Sequence, residues 1–262
     1  MGQRDNWGRR ARLGVFIVGN EAVPEAEWWA MAPDGVSVHA ARVTARTPWA
    51  RWRDDRSGVA LEDDLLRGAR QFAAMRLQAV TVGHSSSSIV GGKGWDTATV
   101  AALSEMLGTD KLITTNGLDT LSALETLGVT RPLLVLPPWF NPQTVAAGVH
   151  YYADHGVSPA AHLSYDPGPP WRDLPPGELT ARGLGFAQEI EPLHAQIKAA
   201  CPADADGVLI AGTGFRCVGI LEALEQELQR PVISANQASL WRCLRAGGID
   251  DKIPGYGSLL RR

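Results

Sequence analysis

The sequence predicts an α/β fold made of two similar parallel-sheet halves with a cleft between them. Three observations carry that expectation. Short apolar, β-branched runs alternate with stretches of helical periodicity along the whole chain, the pattern of right-handed strand–helix–strand crossovers. Two of these runs end in the same grammar: Ala79-Val-Thr-Val-Gly-His-Ser-Ser86 and Gly207-Val-Leu-Ile-Ala-Gly-Thr-Gly214 each pass from a buried strand into small polar residues before a helix. At 262 residues the chain is long enough for two cores, and no linker or low-complexity segment divides it.

In order, residues 12–18 read as the first strand, with Asn20 in the loop that follows. Residues 24–31 read as a short helix whose Trp28 and Trp29 belong to the core or a lid. Residues 36–43 form a second strand with His39 on one face. Residues 46–57 are charged, irregular and tryptophan-bearing, the composition of a mobile loop over a pocket. Residues 61–75 have helical periodicity, with Leu65, Ala69, Phe72 and Ala73 on one face. After the first strand-end turn, residues 97–107 form a helix with Asp96 as its N-cap.

The pattern then starts afresh. Strands are expected at 111–115, 131–136, 160–165, 208–211 and 231–234. Helices are expected at 117–127 (closed by Gly128), 142–155, 178–200, 217–228 and 237–246. Residues 166–176 are a proline-rich loop carrying Trp171. The expected division is a first domain of 12–115 with a returning 230–262, and a second domain of 116–229.

Composition narrows the function. A net charge of −3 gives no electrostatic reason for nucleic acid or an anionic membrane as partner. No apolar run approaches the roughly 18–20 residues of a membrane span. Residues 1–12 are polar and basic with no apolar segment of signal-peptide kind behind them, so a frayed lead-in and a cytoplasmic location are expected. The three cysteines, Cys201, Cys217 and Cys243, include no Cys-x-x-Cys pair, and the six histidines no His-x-x-x-His pair. Neither a disulfide framework nor a metal centre is suggested, and no cofactor is implied.

The two turns are the candidate site, because ligands of open α/β sheets bind at the carboxyl ends of the strands. His84 stands at the mouth of the first, with Ser85 and Ser86 behind it; Gly212, Thr213 and Gly214 form the second. His84 has two readings, a hydrogen-bonded turn residue or an acid/base group working near neutral pH. Arg216 also has two, a partner for a substrate carboxylate or one end of an internal salt bridge. His39, His150, His155, His162 and His194 read as structural or surface residues.

Several of these stretches resemble a known superfamily. Asn20 followed by Val23-Pro-Glu-Ala-Glu-Trp-Trp29, then Gly35-Val-Ser-Val-His-Ala-Ala-Arg-Val43, is similar to the start of maleate cis-trans isomerases and arylmalonate decarboxylases, of the aspartate/glutamate racemase superfamily. So are the stretches 80–92 and 206–216, Pro231-Val-Ile-Ser-Ala-Asn-Gln-Ala-Ser-Leu-Trp241, and the tail Pro254-Gly-Tyr-Gly-Ser-Leu-Leu260. The resemblance implies two pseudo-symmetric α/β domains with the active site between them. Racemases and isomerases of the group use two cysteines, one after each of two strands, and the decarboxylases keep only the second. His84 and Gly212 occupy the matching positions here, so both thiols are missing.

The same resemblance implies that Ser85 and Ser86 cradle a substrate carboxylate, with Thr213 and Gly214 as donors opposite and Asn20 binding a carboxylate. The family's tyrosine is missing, Pro138 and Trp139 occupying its region; Trp139, and Arg216 after the second turn, are candidates for the pocket wall. The implied activity is cofactor-independent decarboxylation of a small carboxylic acid through an enediolate, with His84 as acid/base group. The alternatives are a cis-trans isomerase or racemase of a small carboxylate, or an inactive carboxylate-binding relative. An even-numbered homo-oligomer is compatible with such a fold.

Overall fold

The computed structural model describes residues 5–262, so residues 1–4 of the expected lead-in lie outside it. From residue 5 onward that lead-in is tied down: the Asp5 carbonyl accepts from the Gly35 N–H, and Arg10 pairs with Asp251 at 2.5 Å.

The first half contains β1 (Ala11–Val18), α1 (Val23–Met31), β2 (Val36–Val43), β3 (Ala50–Trp52), β4 (Val59–Leu61), α2 (Asp63–Ala73), β5 (Ala79–Val82), α3 (Ser85–Gly91), α4 (Trp95–Leu107), β6 (Leu112–Thr115) and α5 (Asn116–Leu127). The second contains β7 (Pro132–Leu136), α6 (Pro142–Asp154), β8 (Ala161–Ser164), α7 (Pro176–Ala181), α8 (Leu184–Ala187), α9 (Ile190–Ala200), β9 (Gly207–Ile210), α10 (Leu221–Leu228), β10 (Val232–Ser234) and α11 (Ala235–Ala246).

The two main sheets are parallel, in the orders β2-β1-β5-β6 and β8-β7-β9-β10. The topology is therefore the same in both, with β1, β2, β5 and β6 answering to β7, β8, β9 and β10. The buried runs explain why: β5 and β9 are buried at every position, as central parallel strands covered on both faces must be. In α2, Leu65, Ala69 and Phe72 recur at helical spacing and are buried, with Phe72 edge-on to Phe16 of β1 at 4.9 Å. Ala73, expected on that face, is exposed.

Each half ends in a helix that crosses over. The Thr115 hydroxyl caps α5 by accepting from the Leu118 N–H, and Ser234 with Gln237 makes a capping box at the start of α11. Helix α5 packs on α3, β6 and also β10, while α11 packs on α5, α1 and β5. The segment 230–262 touches both halves. Strand β10 pairs with β9 in the second sheet, while α11 packs on β5 and α1, Asp251 pairs with Arg10, and the Tyr256 hydroxyl donates to the Ala30 carbonyl.

Three local expectations change. Residues 46–57 are not a free loop: Trp49 and Ala50 are buried, β3 pairs antiparallel with β4, and the Trp95 indole N–H donates to the Ala50 carbonyl at 2.7 Å. Residues 178–200 form three helices, because Gly183 takes a φ of 79° and breaks the run. Cys217 precedes a 3₁₀ turn, Val218–Ile220, instead of lying in a helix. Among the described residues no helix is long and apolar enough to cross a membrane.

Candidate active site between two strand-end turns

Strand register makes the two turns equivalent. The Gly83 N–H donates to the Phe16 carbonyl at the end of β1, and the Ala211 N–H donates to Val135 near the end of β7. The next residue in each case, His84 and Gly212, is therefore the first beyond the sheet, and the two belong to matching half-sites. The turns are joined directly. The Thr213 hydroxyl donates to the Gly83 carbonyl at 2.9 Å, and the Gly212 N–H donates to the Ser85 hydroxyl oxygen at 3.2 Å. Ser85 in turn donates to Asn116 Oδ1 at 2.5 Å, and the Asn116 amide donates to the Ala235 carbonyl and the Ser239 hydroxyl.

His84 is the residue before α3, and Ser85 is already the first helical residue, where a longer turn was expected. The imidazole is buried and stacked on Trp49, with centroids 4.1 Å apart and planes at 18°. Its Nδ1 is 2.8 Å from Ser87 Oγ, which also accepts from the Trp49 backbone N–H at 3.0 Å. Ser87 therefore ties the imidazole to the backbone of Trp49 through one hydroxyl. Burial without a charged partner pushes the imidazole pKa down to about 3. An acid/base group working near neutral pH was expected here; burial instead favours the neutral ring.

Of the two serines singled out, Ser85 is committed to the bridge between the turns. Ser86 is half-buried, and its hydroxyl has no partner among the described residues. Thr213 is likewise committed through its proton, although its carbonyl accepts from Asn236 at 2.8 Å and so is held in place. Gly212 has a φ of 102°, and a Cβ there would lie 2.9 Å from Pro137 Cγ. A thiol-bearing residue at this position would be strained twice over.

A carboxyl group the sequence did not single out lies at the second turn. Glu21, in the loop after β1, places its carboxyl oxygens where a Cβ on Gly214 would fall. Its Oε2 is sealed from solvent without a hydrogen-bond partner among the described residues, and burial raises the pKa to about 7. It shares a small cavity with Asn20, Trp139, Phe186 and Gly214. Asn20 itself is largely exposed, and Trp139 stands edge-on to Phe215, centroids 6.0 Å apart. Arg216 is also exposed and lines a neighbouring cavity of about 440 Å³ with Glu27, Phe186 and Tyr256. Ala22, Val23, Gly185 and Phe186 line both cavities, so the larger adjoins the smaller.

Buried polar ties hold the turns in register. Glu27 of α1 accepts from the N–H groups of Cys217 and Val218 and from the Asn236 amide, fastening the loop after β9 to the first half. Asp96, expected as an N-cap, instead faces inward from the first turn of α4 and accepts from Ser88, Thr115 and Tyr151 of α6. Gly94 is the cap residue. Among the described residues no three His, Cys, Asp or Glu side chains converge as metal ligands would.

The arylmalonate decarboxylase family model matches residues 186–260, the stretch that carries the second turn, β10 and α11. No curated protein sequence matches the chain. Among solved structures, the maleate isomerase of Pseudomonas putida S16 with maleate is 19% identical, covers 96% of this chain and 97% of its own, and superposes with a TM-score of 0.77. The Nocardia farcinica maleate cis-trans isomerase bound to TRIS is 18% identical, with 96% and 98% coverage and a TM-score of 0.76. A glycine-to-cysteine mutant of arylmalonate decarboxylase, in a sulfate-associated form, is 22% identical, with 96% and 100% coverage and a TM-score of 0.71. At these identities the likeness establishes the fold, two α/β domains in one chain, and the resemblance drawn from the sequence is to these same proteins.

Proposed function

We propose that this chain is a cofactor-independent carbon-acid enzyme that removes CO2 from a small malonate-type carboxylate through an enediolate. The observation that supports it most is the pairing of His84 with Gly212 in facing turns. Both positions lack a thiol, while neutral donors remain around them. Racemisation and two-sided isomerisation ordinarily use a proton-transfer group on each face of the reacting carbon. Decarboxylation followed by protonation needs only one, which favours it here.

In this reading the retained carboxylate of the substrate lies against Ser86 and the His84 Nε2–H. Loss of CO2 leaves an electron pair on the α-carbon that spreads onto that carboxylate, and the two donors strengthen their hydrogen bonds as the charge grows. A neutral imidazole suits this task, since it donates without itself being a charge buried in the protein. Trp139, backed by the buried Phe215, offers an apolar wall for the departing carboxylate, where loss of hydration favours its conversion to neutral CO2.

Proton NMR in heavy water, with a panel of aryl- and alkylmalonates, maleate and α-aryl acids, tests the reading. Decarboxylation gives a product with one deuterium at the α-carbon. Conversion of maleate alone would replace the decarboxylase with an isomerase. Binding without turnover of any acid would leave a carboxylate-binding relative.

A further inference from the structure

We propose that Glu21 is the acid that delivers the proton to the α-carbon, taking over the task that thiols perform in related sites. This rests on the decarboxylase reading above and adds to it the identity of the proton carrier. Glu21 is the titratable side chain packed on the second turn: its carboxyl oxygens press against the Gly214 backbone, two residues beyond Gly212. The groups that would otherwise serve are removed on other grounds. His84 is buried against Trp49, and that burial lowers its pKa to about 3, so near neutrality the ring is not the protonated acid. Gly212 has no side chain, and the Cys217 and Cys243 thiols are fully buried.

The surroundings of Glu21 suit an acid kept protonated. Oε2 has no hydrogen-bond partner among the described residues, so that oxygen is not committed to a structural contact. The charged groups on flanking elements are Arg42, Glu25, Glu27 and Arg216. Arg42 donates to the Glu21 backbone carbonyl and pairs with Glu25, while Glu27 is satisfied by Cys217, Val218 and Asn236. None of the four shifts the Glu21 carboxyl; burial alone raises it to about 7, so near neutrality it can both release and regain a proton. The step balances. The bond from the α-carbon to the departing carboxylate breaks, its electron pair stays on carbon as the enediolate, and CO2 leaves. The Glu21 O–H bond then breaks, the proton goes to the α-carbon, and the resulting carboxylate regains a proton from water through the adjoining cavity.

The experiment compares the wild type with Glu21→Gln and Glu21→Ala, using phenylmalonate as the probe and the most active acid of the panel beside it. Glu21→Gln is expected to lower kcat by about a hundredfold or more with KM changed by less than about threefold, as loss of a positioned acid does. The wild-type kcat should fall as pH rises through about 7, a limb that Glu21→Gln abolishes. Formate should restore part of the turnover to Glu21→Ala, which a purely structural role would not allow. If the wild type is active and Glu21→Gln matches it, the inference is overturned and the decarboxylase reading stands. If the wild type turns over none of these acids, the reading falls and the inference with it. Should both variants fold poorly, the wild-type profile decides: the absence of a limb near 7 overturns the inference.

Discussion

The indole of Trp49 lies flat on the imidazole of His84, and the same tryptophan's backbone N–H holds the serine that engages Nδ1. One residue, immediately before β3, therefore covers the ring's face and holds its hydrogen-bond partner. Trp49→Ala should destabilise the protein by about 3–5 kcal/mol, as loss of a fully buried aromatic does. It should also lower turnover by up to about a hundredfold through a misplaced ring. Urea melts with steady-state kinetics check both; wild-type kinetics in a weakened fold would detach the hairpin from the site.

Ser86 differs from its neighbour in having a hydroxyl free to meet a ligand. Ser86→Ala should reduce kcat by on the order of tenfold to a thousandfold with little change in melting temperature. Ser85→Ala should instead lower the melting temperature, because it releases Gly212 and Asn116 together. Thermal unfolding of the two variants, measured side by side with kcat, separates a ligand contact from a structural bridge.

Thiol chemistry should be dispensable. Burial pushes all three thiols up, Cys217 and Cys243 well above the usual range, so each is scarcely ionised near neutrality. Iodoacetamide should leave turnover unchanged, and Cys201→Ser should be fully active. Rapid inactivation by the reagent, with protection by substrate, would contradict the assignment of His84 and Gly212 to the two half-sites.

Two buried groups should tilt stability in opposite directions with pH. Glu21 binds its proton more tightly when folded, about 7 against 4.5, so the stability linked to it is fully present below 4.5 and lost as pH rises through 7. His84 binds its proton less tightly when folded, about 3 against 6.5, so its contribution is present above 6.5 and lost as pH falls toward 3. Each slope is at most roughly 1.4 kcal/mol per pH unit. The stability of Glu21→Gln relative to wild type should therefore rise between pH 5 and 8, and that of His84→Gln should rise between pH 6 and 4. Denaturant midpoints across that range provide the check, and parallel curves would show these groups to be more hydrated than the fold suggests.

Much of this molecule was legible because its signals are local. Burial at every position marks β5 and β9, period 3.6 marks α2, and Gly128 closes α5 with a φ of 69°. What stayed hidden depends on distant chain. Glu21 looks like any loop glutamate until Gly214, far along the sequence, closes over it. Trp49 reads as part of a polar loop because the strand pairing that buries it is only three residues long. Asp96 has the identity of a cap, yet Ser88, Thr115 and Tyr151 converge on it and draw it inward. Four consecutive serines suggest an extended turn, but Ser85, Ser87 and Ser88 find partners outside their own helix.

The crossing of α5 and α11 makes the two halves a single cooperative object. Strand β6 leads into a helix that rests partly on β10, and β10 leads into one that rests on β5. A fragment cut after β6 would lose α11, with its buried Leu240, Cys243 and Leu244, from the face of its sheet. Melting should accordingly be one transition by calorimetry, and either half expressed alone should fold poorly. A duplicated ancestor of this topology would have had to trade helices between copies, as a domain-swapped dimer does, before the copies were joined.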